Sequence, residues 1–145
     1  MNLSFQAILA NVTDIDRSAD FYSEVLEFPV LSRDTEVVTM MVNRADRRQV
    51  LILRKAHSSQ HPGGRSIGAR VLGFEAASME EVDLVEARLK ERTAFAGRRR
   101  NDGWEAVIGY DPDRIPVSVA ANPAGGPIKE EDWSSIDEII YMIGG

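Results

Sequence analysis

Val12-Thr-Asp-Ile-Asp-Arg-Ser-Ala-Asp-Phe-Tyr-Ser-Glu-Val-Leu-Glu-Phe28 decides the fold. Ile15, Ala19, Tyr22 and Leu26 recur at helical spacing, with Phe21 and Val25 widening the stripe. Asp14 stands where a helix cap is needed, and Phe28-Pro29 ends the helix. Ahead of it, Ser4 to Val12 reads as a strand, with Phe5, Ala7, Leu9 and Asn11 on one face and Gln6, Ile8, Ala10 and Val12 on the other. Both faces are largely apolar, which predicts a central strand. Extended segments follow at Val30 to Arg33, Glu36 to Val42 and Gln49 to Arg54, with Asn43 to Asp46 as the last turn. The order is β, α, β, β, β.

The same order returns after residues 55–67, whose Ser58-Ser-Gln-His-Pro-Gly-Gly64 has connector composition. Ala69 to Ala76 reads as a strand, and Ser78-Met-Glu-Glu81 is a capping box opening a helix with Met79, Val82, Val85 and Leu89 on one face. Laying Asp14 on Ser78 sets Ile15 on Met79, Phe21 on Val85 and Val25 on Leu89, so the periodicities agree. Segments at Ala94 to Arg98, Trp104 to Tyr110 and Ile115 to Ala121 complete the copy, with Asp111-Pro-Asp-Arg114 as the turn before the last. Pro116 belongs at an edge or a strand start. Asn122-Pro-Ala-Gly-Gly-Pro127 is a linker to a short helix from Glu130 to Ile143, striped by Trp133, Ile136, Ile140 and Ile143. Two coverings of that stripe stay open: its own module, or a second subunit.

The first-helix stretch and the Asp111-Pro-Asp-Arg114 turn resemble signatures of the vicinal oxygen chelate superfamily, which holds glyoxalases, extradiol dioxygenases, epimerases and bleomycin-type resistance proteins. Arg114 stands where that turn usually has Gly, which predicts a different turn geometry. The resemblance implies an α+β fold of two βαβββ modules, residues 3–54 and 68–121, in one domain over 1–121. It also implies a cup-shaped mixed sheet that encloses a ligand, often with a second subunit as part of the wall. A homodimer is therefore expected, with residues 122–145 as linker and C-terminal helix.

Metal-dependent relatives place a His in a module's first strand and a Glu in its last, so that both reach one divalent ion. Counting from Asp14 and Ser78 carries the His positions to Ala7 and Val71, and counting from the turns carries the Glu positions to Leu51 and Ser118. None is a His, Asp or Glu. A slip of one residue finds Gln6, Ile8, Arg70, Leu72, Val50, Ile52, Val117 and Val119, so the expectation of no metal and no cofactor survives. His57 and His61 fall in connector sequence, where helical i, i+4 spacing means little.

A metal-free cup needs apolar walls, an aromatic face and a few polar groups. Phe5, Leu9, Leu51 and Leu53 are candidate walls, and Asn11, Gln49 and Ser118 candidate hydrogen-bonding groups by strand parity. Trp104 and Tyr110 share a parity and suit stacking on a planar or cationic ligand, although core packing explains Trp104 equally well. Glu75 either anchors a cation, pairs with an Arg or sits at an exposed strand end. Arg98-Arg-Arg100 alternates across a strand and reads as a solvated edge, as does Arg47-Arg48. Gly63-Gly64 lacks the context of a phosphate loop, and no Gly-x-Ser-x-Gly elbow occurs.

The chain has 145 residues, 43% of them apolar, enough for one compact core. The absence of cysteine excludes disulfides, thiolate sites and thiol nucleophiles. A net charge of -6 disfavours nucleic acid, and no apolar run approaches the ~20 residues that cross a bilayer, so a soluble cytoplasmic protein is expected. The leading expectation is a metal-independent binder of a small hydrophobic or cationic compound, such as an antibiotic. The alternatives are a lyase, isomerase or dioxygenase with an atypical site, and a non-catalytic interaction domain whose cup is filled.

Overall fold

A computed structural model describes residues 1–2, 6–43, 45, 49–57, 71–132 and 135. The chain forms two compact units, Met1–Gln60 and His61–Gly145, treated in turn.

In the first unit the elements are β1 (Ala7–Val12), α1 (Ile15–Leu26), β2 (Val30–Arg33), β3 (Val37–Met41) and β4 (Val50–Lys55). The sheet order is β1-β4-β3-β2, with β1 parallel to β4 and the other pairs antiparallel. Asp14 is extended and its carboxylate accepts the Arg17 N–H at 3.1 Å, satisfying one otherwise orphaned donor. Ile15, Ala19, Phe21, Tyr22 and Val25 are buried, which is the apolar stripe read in the sequence. Glu27 closes the helix in the left-handed region at φ 59°, and its turn carries Phe28 back so that its ring stacks on Tyr22 with centroids 6.2 Å apart. The expected central strand is corrected, because β1 ends its sheet. One of its faces is closed by packing, whereas Leu9 on the other is 52% exposed.

The second unit repeats the order with β5 (Leu72–Glu75), α2 (Met79–Glu91), β6 (Phe95–Arg100), β7 (Glu105–Tyr110) and β8 (Pro116–Ala121), in the sheet order β5-β8-β7-β6. The capping box forms with one shift. Ser78 Oγ accepts the Glu81 N–H at 3.4 Å, while Glu81 reaches past the cap to accept the Ala77 N–H at 2.8 Å. The buried stripe is Val82, Val85 and Leu89. Between β7 and β8, the Asp111 carboxylate accepts the N–H groups of Asp113 and Ile115 at 2.9 and 2.8 Å. Arg114 sits at φ 62°, the conformation that favours Gly, and its guanidinium lies 4.8 Å from the Tyr110 ring centroid. That contact offsets part of the left-handed strain. Pro116 opens β8, a position that costs no interior ladder bond.

Beyond β8, residues 122–132 cross the face of the second sheet opposite α2. Asn122 organises the crossing: its side-chain N–H donates to the Pro127 carbonyl at 3.1 Å and its Oδ1 accepts the Ala124 N–H at 2.9 Å. A short 3₁₀ turn follows at 130–132. The stripe residues Trp133, Ile136, Ile140 and Ile143 lie outside the described residues.

Candidate functional site

Each sheet has one face packed by its helix and one free of it, and pairing register assigns every side chain to a face. In the first unit Ile8, Leu51 and Met40 form one transverse row and Ala10, Leu53 and Val38 the next. Leu51, Leu53, Val38 and Met40 have no exposure, so this is the face beneath α1. The helix-free face carries Ala7, Val50 and Met41, then Leu9, Ile52 and Thr39, then Asn11, Arg54 and Val37. Arg54 Nε donates to Asn11 Oδ1 at 3.2 Å, which joins two polar groups at one end of a surface whose remaining polar side chain is that of Thr39.

This register corrects the expected wall. Leu51 and Leu53 face α1 and cannot share a surface with Leu9 and Asn11. Gln49 precedes β4, half-buried, and its carbonyl accepts the Val42 N–H at 3.0 Å. The reason is a one-residue offset. Pairing of Ala7 with Val50 puts even-numbered β4 residues beside odd-numbered β1 residues, and such an offset moves every side chain to the other face. The same offset hid Arg54, although the alternation Val50, Ile52, Arg54 carried the signal. Phe5 lies outside the described residues.

In the second unit Leu72, Phe74, Val117, Val119, Val107 and Gly109 face α2, and a Cβ at Gly109 would meet Leu89 at 2.5 Å. The opposite face holds Gly73, Ser118 and Ile108 in one row, Glu75, Ala120 and Ala106 in the next, with Trp104 and Tyr110 at the two ends of β7. Four expected site residues, Glu75, Trp104, Tyr110 and Ser118, therefore share this face. Of the readings left open, core packing holds for Trp104 and an exposed strand end for Glu75. Ile128, 4% exposed, seats against Trp104, Ala106, Ile108 and Ala120, and Trp104 has no exposure at all. The indole N–H donates to Ser135 Oγ at 2.8 Å, and Glu75 Oε1 accepts the Ile128 N–H at 2.7 Å. Trp104 is thus packed beneath the chain's own tail rather than presented for stacking, and Glu75 holds backbone rather than pairing with an Arg. Tyr110 is half-buried under Arg114, and Ser118 is buried beside Gly73. The reading of 122–127 as a plain linker missed this contact, because one apolar residue after a Pro-Gly stretch leaves no periodic mark.

A divalent ion does not fit the positions where the resemblance places ligands. Ala7 pairs with Val50, and Gly73, two residues on from Val71, pairs with Ser118, so these positions present only hydrogen, methyl, isopropyl and hydroxyl groups, and the single carboxylate on the β5 face, Glu75, accepts the Ile128 N–H. Among the described residues no three His, Asp or Glu groups converge as a metal site. His57 is exposed, and His61 lies outside the described residues.

Of the Arg98-Arg-Arg100 triplet, read as a solvated edge, Arg99 and Arg100 are exposed on the end strand β6, whereas Arg98 is half-buried. Arg98 turns to the helix side, where Asp83 and Glu105 take its guanidinium at 2.8 and 2.7 Å and Glu86 makes a further close pair. Partial burial pulls its pKa down, but the hydrogen bonds to Asp83, Glu105 and Glu86 outweigh that and raise it. Lys90, donating to Glu86 at 2.9 Å, and then Arg98 hold the Glu86 carboxyl below its ordinary range against the opposing effect of burial. This network ties α2 to the sheet and leaves the opposite face to other work.

Known proteins corroborate the fold. No curated protein matches the sequence. A glyoxylase/bleomycin resistance protein/dioxygenase domain from Frankia sp. EAN1pec superposes with a TM-score of 0.67 at 20% identity, covering 84% of this chain and 98% of that one. Lactoylglutathione lyase from Agrobacterium tumefaciens matches at 0.64 and 20%, covering 81% and 92%. The genomically encoded fosfomycin resistance protein FosX from Listeria monocytogenes matches at 0.62 and 16%, covering 84% and 93%. At these identities the likeness shows the fold. Among the described residues no helix is long and apolar enough to cross a membrane. The model of the Glyoxalase/Bleomycin resistance protein/Dioxygenase superfamily matches residues 4–119, and with its repeated βαβββ order the chain belongs to that family.

Proposed function

We propose that this chain is a metal-independent small-molecule binding protein of the glyoxalase and bleomycin-resistance type. Its ligand lies on the helix-free face of the first module. The observation that carries the reading is that Arg54 and Asn11, joined at 3.2 Å, stand at one end of a surface formed by Leu9, Met41, Val50 and Ile52. Apolar walls with a few placed polar groups are what a small organic ligand requires. Arg54 suits a carboxylate, phosphonate or carbonyl end, and the aliphatic rows suit a hydrocarbon body. An antibiotic fits this description, and the fosfomycin resistance protein among the structural neighbours supports that choice. A homodimer in the cytoplasm belongs to the same proposal, supported by the exposed apolar Val30 and Leu31 on the end strand β2.

Binding rather than turnover is favoured because the paired strands bring no carboxylate or imidazole to the positions where relatives polarise substrate. Calorimetric titration against aryl carboxylates, phosphonate antibiotics, bleomycin-type glycopeptides and planar antibiotics tests it. Saturable binding weakened by Arg54→Ala is expected; no saturable binding across the panel removes the reading.

A further inference from the structure

We infer that Asp102 is a site of covalent self-modification, at which the chain rearranges to isoaspartate and so marks its own age. Asp102-Gly103 is the one place in the sequence where Asp or Asn precedes Gly. Every other Asp or Asn is followed by a residue whose side chain crowds the reacting atoms, and at Asp111-Pro112 and Asn122-Pro123 the amide N–H is missing altogether. The pair forms the turn between β6 and β7, closed by the Asn101 N–H donating to the Trp104 carbonyl at 2.8 Å. Neither residue sits in the left-handed region, so the turn's handedness does not call for glycine. Packing does, because a Cβ at Gly103 would overlap the side chain of Asp132. Asp132 is held in place there: Ser135 Oγ donates to its carbonyl at 2.9 Å and accepts the Trp104 indole N–H at 2.8 Å. The fold therefore keeps the least hindered amide nitrogen beside Asp102. Nothing is needed from Arg54, so the inference stands apart from binding on the first module.

Both reacting groups are unengaged. Asp102 is exposed, and among the described residues nothing holds its carboxylate, although its own N–H donates to Asn101 Oδ1 at 2.8 Å. The Gly103 N–H likewise meets no acceptor among the described residues. Other turn and cap carboxylates are occupied. Asp34 accepts the Glu36 and Val37 N–H groups at 2.7 and 2.8 Å, Asp14 accepts that of Arg17, and Asp111 accepts those of Asp113 and Ile115. Each of those would give up hydrogen bonds in order to cyclise, a cost that Asp102 does not meet. In the carboxylic acid form of Asp102, the Gly103 nitrogen attacks Cγ, and the nitrogen's proton leaves with the carboxyl's hydroxyl as water, closing a succinimide ring. Water then adds to one ring carbonyl. Opening at Cγ restores aspartate, whereas opening at the main-chain carbonyl leaves isoaspartate, whose backbone runs through Cβ and Cγ and is longer by a methylene. Water is lost and regained, so the step needs no oxidant or reductant. The added methylene falls between the Asn101 N–H and the Trp104 carbonyl, so that bond opens first.

The test ages the full chain at neutral pH and physiological temperature beside a synthetic peptide of residues 101–114, and electron-transfer fragmentation of the digested samples locates isoaspartate at each Asp. Isoaspartate at Asp102 should accumulate about tenfold or more faster than at any other Asp of the chain, through a species lighter by one water. Asp102→Glu, whose longer side chain disfavours ring closure, should abolish the conversion. Asp102→Asn should quicken it, with release of ammonia in place of water. In the converted fraction, separated by chromatography, hydrogen exchange at the Asn101 amide should rise while β8 keeps its protection. Three results overturn the inference: no isoaspartate at Asp102 in the full chain when the peptide is half converted, equal accumulation at other Asp residues, or an Asn101 amide as protected in the converted fraction as in the fresh chain.

Discussion

Arg54 Nε donates to Asn11 Oδ1 across 3.2 Å, between two parallel neighbouring strands whose partners along the same face are aliphatic. Because the pair is exposed, it contributes little to folding and is available to a ligand. Arg54→Ala should leave the melting temperature within about 2 °C, as a small surface effect does in a chain of this size. Ligand affinity in calorimetry should fall by about tenfold or more, the worth of one charge-assisted hydrogen bond. Arg54→Lys, which lacks the planar fork, should recover only part of it.

Leu9, Leu51 and Leu53 separate by face. Leu51→Ala and Leu53→Ala should each cost about 2–5 kcal/mol in denaturant unfolding, because a cavity opens under α1. Leu9→Ala, on the exposed face, should stay within about 1 kcal/mol and instead weaken ligand. Equal costs for Leu9 and Leu51 would contradict the register.

Gly109 has no room for a methyl group, with Leu89 Cδ2 at 2.5 Å and the Ala94 carbonyl oxygen at 2.7 Å from a Cβ placed there. Gly109→Ala should destabilise by about 1–3 kcal/mol through overpacking against α2. Gly109→Ala with Leu89→Ala should recover part of that loss, which denaturant titration would register as non-additivity.

Glu86 sets a pH dependence. Its folded pKa lies below the ordinary 4.5, chiefly through the Lys90 hydrogen bond and then Arg98. The unfolded chain therefore takes up the proton first, and the stabilisation is fully present above the ordinary value and is lost as pH falls through and below it. Glu86→Gln should lower stability at neutral pH and flatten the fall of stability across the acid range in pH-dependent thermal melts. An unchanged acid slope would assign Glu86 no part in it.

The β-α-β-β-β order, both helix caps and the turn at Asp111 were legible because each rests on local chemistry: apolar spacing, a capping oxygen, an Asp-Pro turn. Face assignment in β4 was not, because Gln49-Val-Leu-Ile-Leu-Arg54 is apolar on both sides and only pairing with β1 settles its parity. Arg114 shows another limit. Its replacement of Gly pointed to a changed turn, yet Arg114 accepts the left-handed conformation and lays its guanidinium over Tyr110. Of the expected site residues, Glu75, Trp104, Tyr110 and Ser118 share one face, as strand parity implied for Trp104 and Tyr110. That the tail would seat Ile128 upon it depends on a contact between distant segments, which no local pattern announces.

Calorimetric ligand titration of the purified chain before and after exhaustive chelation, with elemental analysis of the same samples, bears most directly on the reading. Identical affinity and no stoichiometric divalent ion are expected, because Ala7, Val50, Gly73 and Ser118 offer no ligand set. An ion at one equivalent per chain, whose removal abolishes binding and whose return restores it, would contradict the proposal outright.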